Sequence, residues 1–452
     1  MQSKDFGLSF NWGVSTSAYQ IEGAFKEDGK GLSIWDEFVQ KKGKIKNNEN
    51  ANISCDFYHN YPKDIAMMGQ LKIPNFRFSI AWSRIFPNGI GKLNQGGIDY
   101  YNRVIDYCLE LDIRPWITLY HWDLPASLQK TGGWTNREII HWFGDFVEVC
   151  AYRFGDRVKD WIVLNEPLVF TGAGYFFGWH APGKKGIRNF LAAAHHAALC
   201  QAEGGRILRY LVEDANIGTS FSCSDIHPFS NSPADLRAAL RSDALTNRFF
   251  IEPLLGLGYP YKDLPMLRMM EMFMKNNDDI KLQFDMDFIG IQNYTRELVS
   301  FSPFIPMVWS KIHTAEKRKA ERTLMNWEVY PEGIYNMLKK FDAYSGVNDI
   351  IITENGAAFR DNIQNNRIND LQRIQYLEQY LQQVLRAKRE GVNVQGYFVW
   401  SLLDNFEWAE GYDPGFGLVH VDFSTQKRTI KDSGHWYSRF IQSLYNNSIM
   451  NL

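Results

Sequence analysis

The chain has 452 residues, 45% hydrophobic and 22% charged, the balance of a soluble globular protein with a large core. Its net charge of −2, with acids and bases interspersed, excludes the basic footprint of a nucleic-acid-binding protein. No run approaches the roughly 18 apolar residues of a membrane span, and the opening MQSKDFGLSFNWGV lacks the apolar core of a secretion signal, so a soluble cytoplasmic protein is expected.

Short apolar, β-branched or aromatic runs recur along the chain. In order they are FNWGVST (10–16), NFRFSI (75–80), RPWITLY (114–120), WIVLN (161–165), NIGTSFS (216–222), DFIGIQNY (287–294), DIIITEN (349–355) and GYFVWSLLD (396–404). Segments of helical periodicity lie between most of them, for example 96–111 and 370–391. Alternating strand and helix implies parallel strands with helical crossovers. Eight candidates predict an α/β fold, a single (β/α)8 TIM barrel over 1–452 with long βα loops forming the mouth of the site. An open doubly wound sheet is the alternative, but no GxGxxG follows the first strand. Two polar stretches, 26–56 and 296–330, read as loop-like insertions containing some helix.

The five cysteines, Cys55, Cys108, Cys150, Cys200 and Cys223, show no CxxC spacing and suit buried free thiols in a reducing compartment. Asn52-Ile53-Ser54 and Asn446-Asn447-Ser448 match the glycosylation triplet, which reads as chance in a cytoplasmic chain. His195-His196 sit in the Ala-rich run AAAHHAAL and read as helix packing; with no third ligand, no metal site and no cofactor is expected.

In a barrel enzyme the reactive residues cluster where strands end. Two glutamates do so here, Glu166 after WIVLN and Glu354 after IIIT. Either alone reads as a helix-capping acid favoured by the dipole. Together they are the paired carboxylates of glycosidic cleavage, one protonating the leaving oxygen and the other attacking the anomeric carbon or activating water. Trp122, Trp327, Trp400 and Trp408 offer flat apolar faces to a sugar ring, while Gln20, His121, Asn165 and Glu407 offer hydrogen bonds to its hydroxyls. The second strand carries Arg77, and the sixth ends in Asn293-Tyr294.

The motifs FNWGVSTSAYQIEGA (10–24), RFSIAWSRIFPNG (77–89), LYHWDLP (119–125), NEP (165–167), WEVYPEG (327–333), ITENG (352–356) and WSLLDNFEWAEGY (400–412) follow one another in the order of glycoside hydrolase family 1, the retaining β-glucosidases, which the chain resembles over essentially its full length. The resemblance implies that Glu166 is the acid/base and Glu354 the nucleophile, with Arg77 and Tyr294 against it. It implies that Asn165 binds the 2-hydroxyl and that Gln20, His121, Trp122, Glu407 and Trp408 hold the other glycone hydroxyls. Trp400 would lie under the ring, Trp327 would line the aglycone side, and Phe416 would close the pocket near the 6-hydroxyl. The implied partner is a small-molecule β-glycoside carrying a terminal glucosyl, galactosyl or fucosyl unit.

Two departures from the family pattern bear on the pocket. Gln292-Asn293-Tyr294 stands for Asn-Tyr-Tyr, which concerns local aglycone contacts, and Asp413-Pro414-Gly415 stands for Ser-Lys-Arg, which concerns loop closure. Relatives acting on 6-phosphorylated sugars replace the Glu-Trp pair; Glu407 and Trp408 are present, and a glutamate there repels a dianion. A catalytically silent sugar-binding relative would lack one carboxylate, and neither is missing.

Overall fold

The computed structural model describes residues 1–443 apart from 306, 365 and 366, so the triplet Asn446-Asn447-Ser448 lies outside the described residues. Eight parallel strands form the frame: β1 (Asn11–Ser15), β2 (Asn75–Ser79), β3 (Arg114–Tyr120), β4 (Asp160–Asn165), β5 (Asn216–Pro228), β6 (Phe288–Phe301), β7 (Asp349–Asn355) and β8 (Val394–Trp400). Each pairs with the next, and β8 pairs with β1, so the sheet closes into the expected barrel. Closure leaves no barrel edge to pair with another chain.

Helices stand outside each strand: α1 (Phe57–Gln70), α2 (Gln95–Glu110), α3 (Ile139–Phe154), α4 (Ile187–Leu211), α5 (Pro233–Asp243), α6 (Glu332–Asp342), α7 (Leu371–Arg389) and α8 (Asp432–Gln442). In α2 the residues Ile98, Tyr101, Ile105 and Cys108 recur at three- and four-residue spacing and are all buried. Each such side chain contributes about 1.5–3 kcal/mol relative to exposure.

The barrel interior is filled by large rings set against missing side chains. Trp116, Ile162, Phe288, Ile351 and Phe398 form a cluster of their own within it. A Cβ on Gly13 would stand 2.4 Å from the Phe398 ring, and one on Gly218 would stand 2.3 Å from that of Phe288. Glycine at those two strand positions is what admits the rings.

Strand register sets the site. Arg77 lies opposite Ser15, which lies opposite Trp400; Gln292 lies opposite Glu354. Arg77 and Trp400 thus flank Ser15 on the neighbouring strands, and Glu354 stands beside Gln292.

Two expected elements are corrected. The eighth strand stops at Trp400 instead of running to 404. Ser401 Oγ donates to the Leu403 carbonyl at 2.6 Å and Asn405 Nδ2 to Ser401 Oγ at 3.0 Å, local bonds that compete with the ladder. The stretch 296–330 does not begin as a loop: β6 continues to Phe301 and turns back as an antiparallel strand, Ser310–Ile312. The run Leu298-Val299-Ser300-Phe301 carries enough strand propensity, with Val299 buried, to extend the ladder. Within 26–56 the helix Ile34–Phe38 is fixed by a capping box between Ser33 and Asp36.

All five cysteines are buried and free. His195 bonds Tyr259 and Asp278 at 2.9 Å each, and His196 bonds the Trp134 carbonyl at 2.9 Å, so both serve packing. Among the described residues no helix is long and apolar enough to cross a membrane.

Candidate active site

Glu354 is the penultimate residue of β7 and is held from two sides. The Arg77 guanidinium donates to Oε1, and the Tyr294 hydroxyl donates to Oε2 at 2.8 Å. Arg77 is fully buried, and its remaining donors go to Thr118 Oγ1 (3.0 Å), the Thr353 carbonyl (3.2 Å) and Asn165 Oδ1 (2.5 Å). With all three of its nitrogens engaged, the guanidinium cannot move with the carboxylate, so it fixes the position of that oxygen.

Glu166 follows β4 and sits in the left-handed region at φ 46°, a conformation that costs a non-glycine residue about 1–3 kcal/mol. Its backbone N–H donates to the Ser220 carbonyl at 2.8 Å, tying it to β5. It occupies the N-cap position of the helix Pro167–Thr171, yet its side chain makes no capping hydrogen bond. The capping explanation available to a lone glutamate therefore fails at Glu166, whose side chain lines the cavity instead.

The two carboxyl groups differ in what surrounds them. Burial, then the charge of Glu354, pushes Glu166 up to about 8, against the pull of the Ser222 hydroxyl and the charge of Arg77. Burial also pushes Glu354 up, against the pull of Arg77, Tyr294 and Gln292. The cation and phenol thus offset part of a burial cost that outweighs them. With a direct ion pair on one member only, Glu354 takes the charge of the pair first and Glu166 keeps the proton.

Both glutamates face a cavity of about 520 Å³. Trp122 and Trp408 pack at 4.5 Å between ring centres, and Trp408 leans on Trp35 at 4.6 Å. Trp400 stacks near His121 at 6.0 Å. On the other side, Trp327 lies 5.1 Å from Tyr294 and 6.1 Å from Phe416. Trp122 and Trp408 both have positive φ, 77° and 51°, so two of the aromatic walls hang on strained backbone.

The polar groups are fixed by one another. Asn165 Oδ1 accepts from Arg77 and from Gln292 Nε2 (2.8 Å), so its Nδ2 is the donor toward His121 Nε2 at 3.0 Å. His121 is neutral, its pKa lowered by burial and by Arg77. Its proton must then sit on Nδ1, a buried atom without a partner in a residue lining the cavity. Gln20 Nε2 donates to Asn405 Oδ1 and the Phe406 carbonyl at 3.0 Å and reaches Glu407 Oε2 at 3.4 Å. Burial and the charge of Glu354 push Glu407 up to about 8.

Most expected residues line the cavity: His121, Trp122, Glu166, Tyr294, Trp327, Glu354, Trp400, Glu407, Trp408 and Phe416. Gln20, Arg77 and Asn165 stand fully buried behind it and orient those in front. Gln292 and Asn293 are also fully buried, so that departure falls on the supporting wall and not on an aglycone contact. Ser222 and His180 line the cavity as well and are not evident from strand ends. Register reveals Ser222, which lies opposite Gln292 as Gln292 lies opposite Glu354. His180 carries no such signal; burial lowers it to about 4.

Among the described residues, Asp361, Asp404 and His420 are grouped closely enough to hold a metal ion. Lys431 Nζ already lies 2.6 Å from Asp361 and 2.7 Å from Asp404, so an ammonium supplies the positive charge there.

The family model for glycosyl hydrolase family 1 matches residues 2–445. Beta-glucosidase A of Acetivibrio thermocellus is 44% identical over 98% of this chain and 99% of its own length. The 1,4-beta-D-glucan glucohydrolase of Thermotoga neapolitana is 43% identical over 97% and 99%. The solved beta-glucosidase of Thermotoga maritima in complex with glucoimidazole superposes with TM-score 0.94 at 43% identity, over 98% of this chain and 99% of that one. With its barrel, its paired carboxylates and this full-length match, the chain belongs to glycosyl hydrolase family 1.

Proposed function

We propose that the chain, as one catalytic domain, is a retaining β-glucosidase that releases terminal glucosyl units by double displacement. The observation that carries this reading is the asymmetry of the carboxylates: Glu354 is pinned by Arg77 and Tyr294, and Glu166 is buried without a cation of its own.

Glu166 gives its proton to the glycosidic oxygen while Glu354 attacks the anomeric carbon, so the C–O bond breaks as an ester forms. Esterification removes the charge on Glu354 that kept Glu166 protonated. Glu166, having given up its proton, therefore stays ionised and as a base takes a proton from water, which displaces Glu354 with a second inversion. Neutral His121, donating from Nδ1, and Glu407, backed by Gln20, hold the glycone hydroxyls. Trp408 on Trp122 and Trp35 walls that end of the cavity, which favours a terminal over an internal sugar. The name of the Thermotoga neapolitana relative, 1,4-beta-D-glucan glucohydrolase, supports β-1,4-glucans as substrates, hence a place in cellulose breakdown. Five free buried thiols favour a reducing compartment, the cytoplasm.

An aryl β-glucoside tests the reading, since released phenol reports turnover. Glu166→Ala is expected to lose most activity on poor leaving groups and to recover part of it with azide. Loss without rescue and without leaving-group dependence would reject Glu166 as the acid.

A further inference from the structure

Strand β6 continues for seven residues past Tyr294, toward the cavity mouth. Between the pairs Cys223–Asn293 and Asp225–Arg296 the register slips, three residues of β6 passing two of β5. In a regular strand, Tyr294 and Glu297, three apart, would face opposite ways. The bulge breaks the strict alternation, and Tyr294, Thr295, Arg296 and Glu297 all line the same cavity. Glu297 lies within about 10 Å of Tyr294 along the strand, on the mouth side where the leaving group departs.

The other charged groups of that wall are paired. Arg296 Nη2 donates to Glu328 Oε1 at 2.8 Å, Arg318 Nη2 donates to Glu328 Oε2 at 2.5 Å, and Arg296 lies over the Tyr330 ring at 3.9 Å. His313 is bonded to Ser300 Oγ at 2.8 Å. Among the described residues the Glu297 side chain has no hydrogen-bond or ion-pair partner, though it is partly buried and burial pushes it up to about 7. A polar group placed this way costs free energy unless something else pairs with it.

We propose that Glu297 is a specificity-determining residue of the aglycone side, its carboxyl accepting hydrogen bonds from the hydroxyls of a second sugar unit. A carboxylate accepts two donors at once, which suits neighbouring hydroxyls, and Trp327 offers a flat apolar face in the same cavity. The same group disfavours anionic leaving groups. Arg296 and Arg318 are balanced by Glu328 and Glu297 together; without Glu297 the wall carries one net positive charge. The proposal rests on the β-glucosidase reading above.

The test compares full-length Glu297→Gln and Glu297→Leu with the unsubstituted enzyme on cellobiose, 4-nitrophenyl β-glucoside and 4-carboxyphenyl β-glucoside. Ratios of kcat/KM cancel any general loss of folded enzyme. The cellobiose-to-nitrophenyl ratio is expected to fall five- to twenty-fold in Glu297→Leu and less in Glu297→Gln, which retains hydrogen bonding. The carboxyphenyl-to-nitrophenyl ratio is expected to rise three-fold or more in both. Ratios unchanged within two-fold would overturn the proposal. An unsubstituted enzyme that turns over none of the three would instead remove the β-glucosidase reading and this proposal with it.

Discussion

Tyr294 holds Glu354 by one 2.8 Å hydrogen bond, and its removal isolates what that bond does. A hydrogen bond to a charged group contributes about 1.5–3 kcal/mol, so Tyr294→Phe should lower kcat/KM by roughly 10- to 150-fold. The pH profile separates this from a loss of fit. Activity needs Glu354 ionised, so it is lost as pH falls through the pKa of that residue; without the phenol that pKa rises, and the acid limb moves to higher pH. It also needs Glu166 protonated, so it is lost as pH rises through about 8, with Glu407 titrating in the same range. Measured kcat/KM against pH should show the acid limb displaced, and an unmoved acid limb would contradict the assignment. In the sequence Glu166 and Glu354 stood out because each follows an apolar strand, whereas Arg77 and Tyr294 were set beside Glu354 only by the family resemblance. The partnerships of Gln292 and Ser222 were not legible there, since they follow from the β5–β6–β7 register, which composition does not encode.

The segment after β8 carries Glu407, Trp408 and Phe416, and a buried ion network fastens it. Asp404 Oδ1 accepts from Gly417 N–H (2.8 Å) and Lys431 (2.7 Å), and its Oδ2 meets His420 at 3.0 Å. Arg373 Nη2 donates to the Gly415 carbonyl at 2.6 Å. Burial alone would raise the pKa of Asp404, but Lys431, His420 and Arg373 bring it down to about 2. A depressed carboxyl stabilises the fold above its unfolded value of about 3.9; that contribution is lost as pH falls through about 2. Asp404→Asn leaves Lys431 undercompensated, and removing one partner of a buried pair costs about 3–5 kcal/mol. Thermal unfolding at pH 7 should register that loss, and KM for aryl glucosides should rise as Phe416 loosens. A melting temperature within a degree of the unsubstituted protein would exclude this fastening role. Nothing in Asp413-Pro414-Gly415 disclosed the network, whose members lie far apart in sequence. The hairpin at 299–312 was closer to view: its alternation was present, but polar neighbours masked it.

At the scale of the molecule, eight β/α units in sequence order were legible because helical and strand periods alternate through the chain. Closure was not written in any one strand; it follows from β8 pairing with β1 and from rings such as Phe398 filling the space over Gly13. The barrel gives the site its rigidity, since the carboxylates just after β4 and at the end of β7 are held by a common frame. The central claim, that Glu354 attacks the sugar from that frame, is tested most directly by trapping. Incubation with 2-deoxy-2-fluoro-β-glucosyl fluoride, whose ester intermediate breaks down slowly, followed by peptide mass mapping, should place one fluoroglucosyl group on Glu354. An adduct on any other residue, or full inactivation resistance in an enzyme that hydrolyses aryl β-glucosides, would contradict the account.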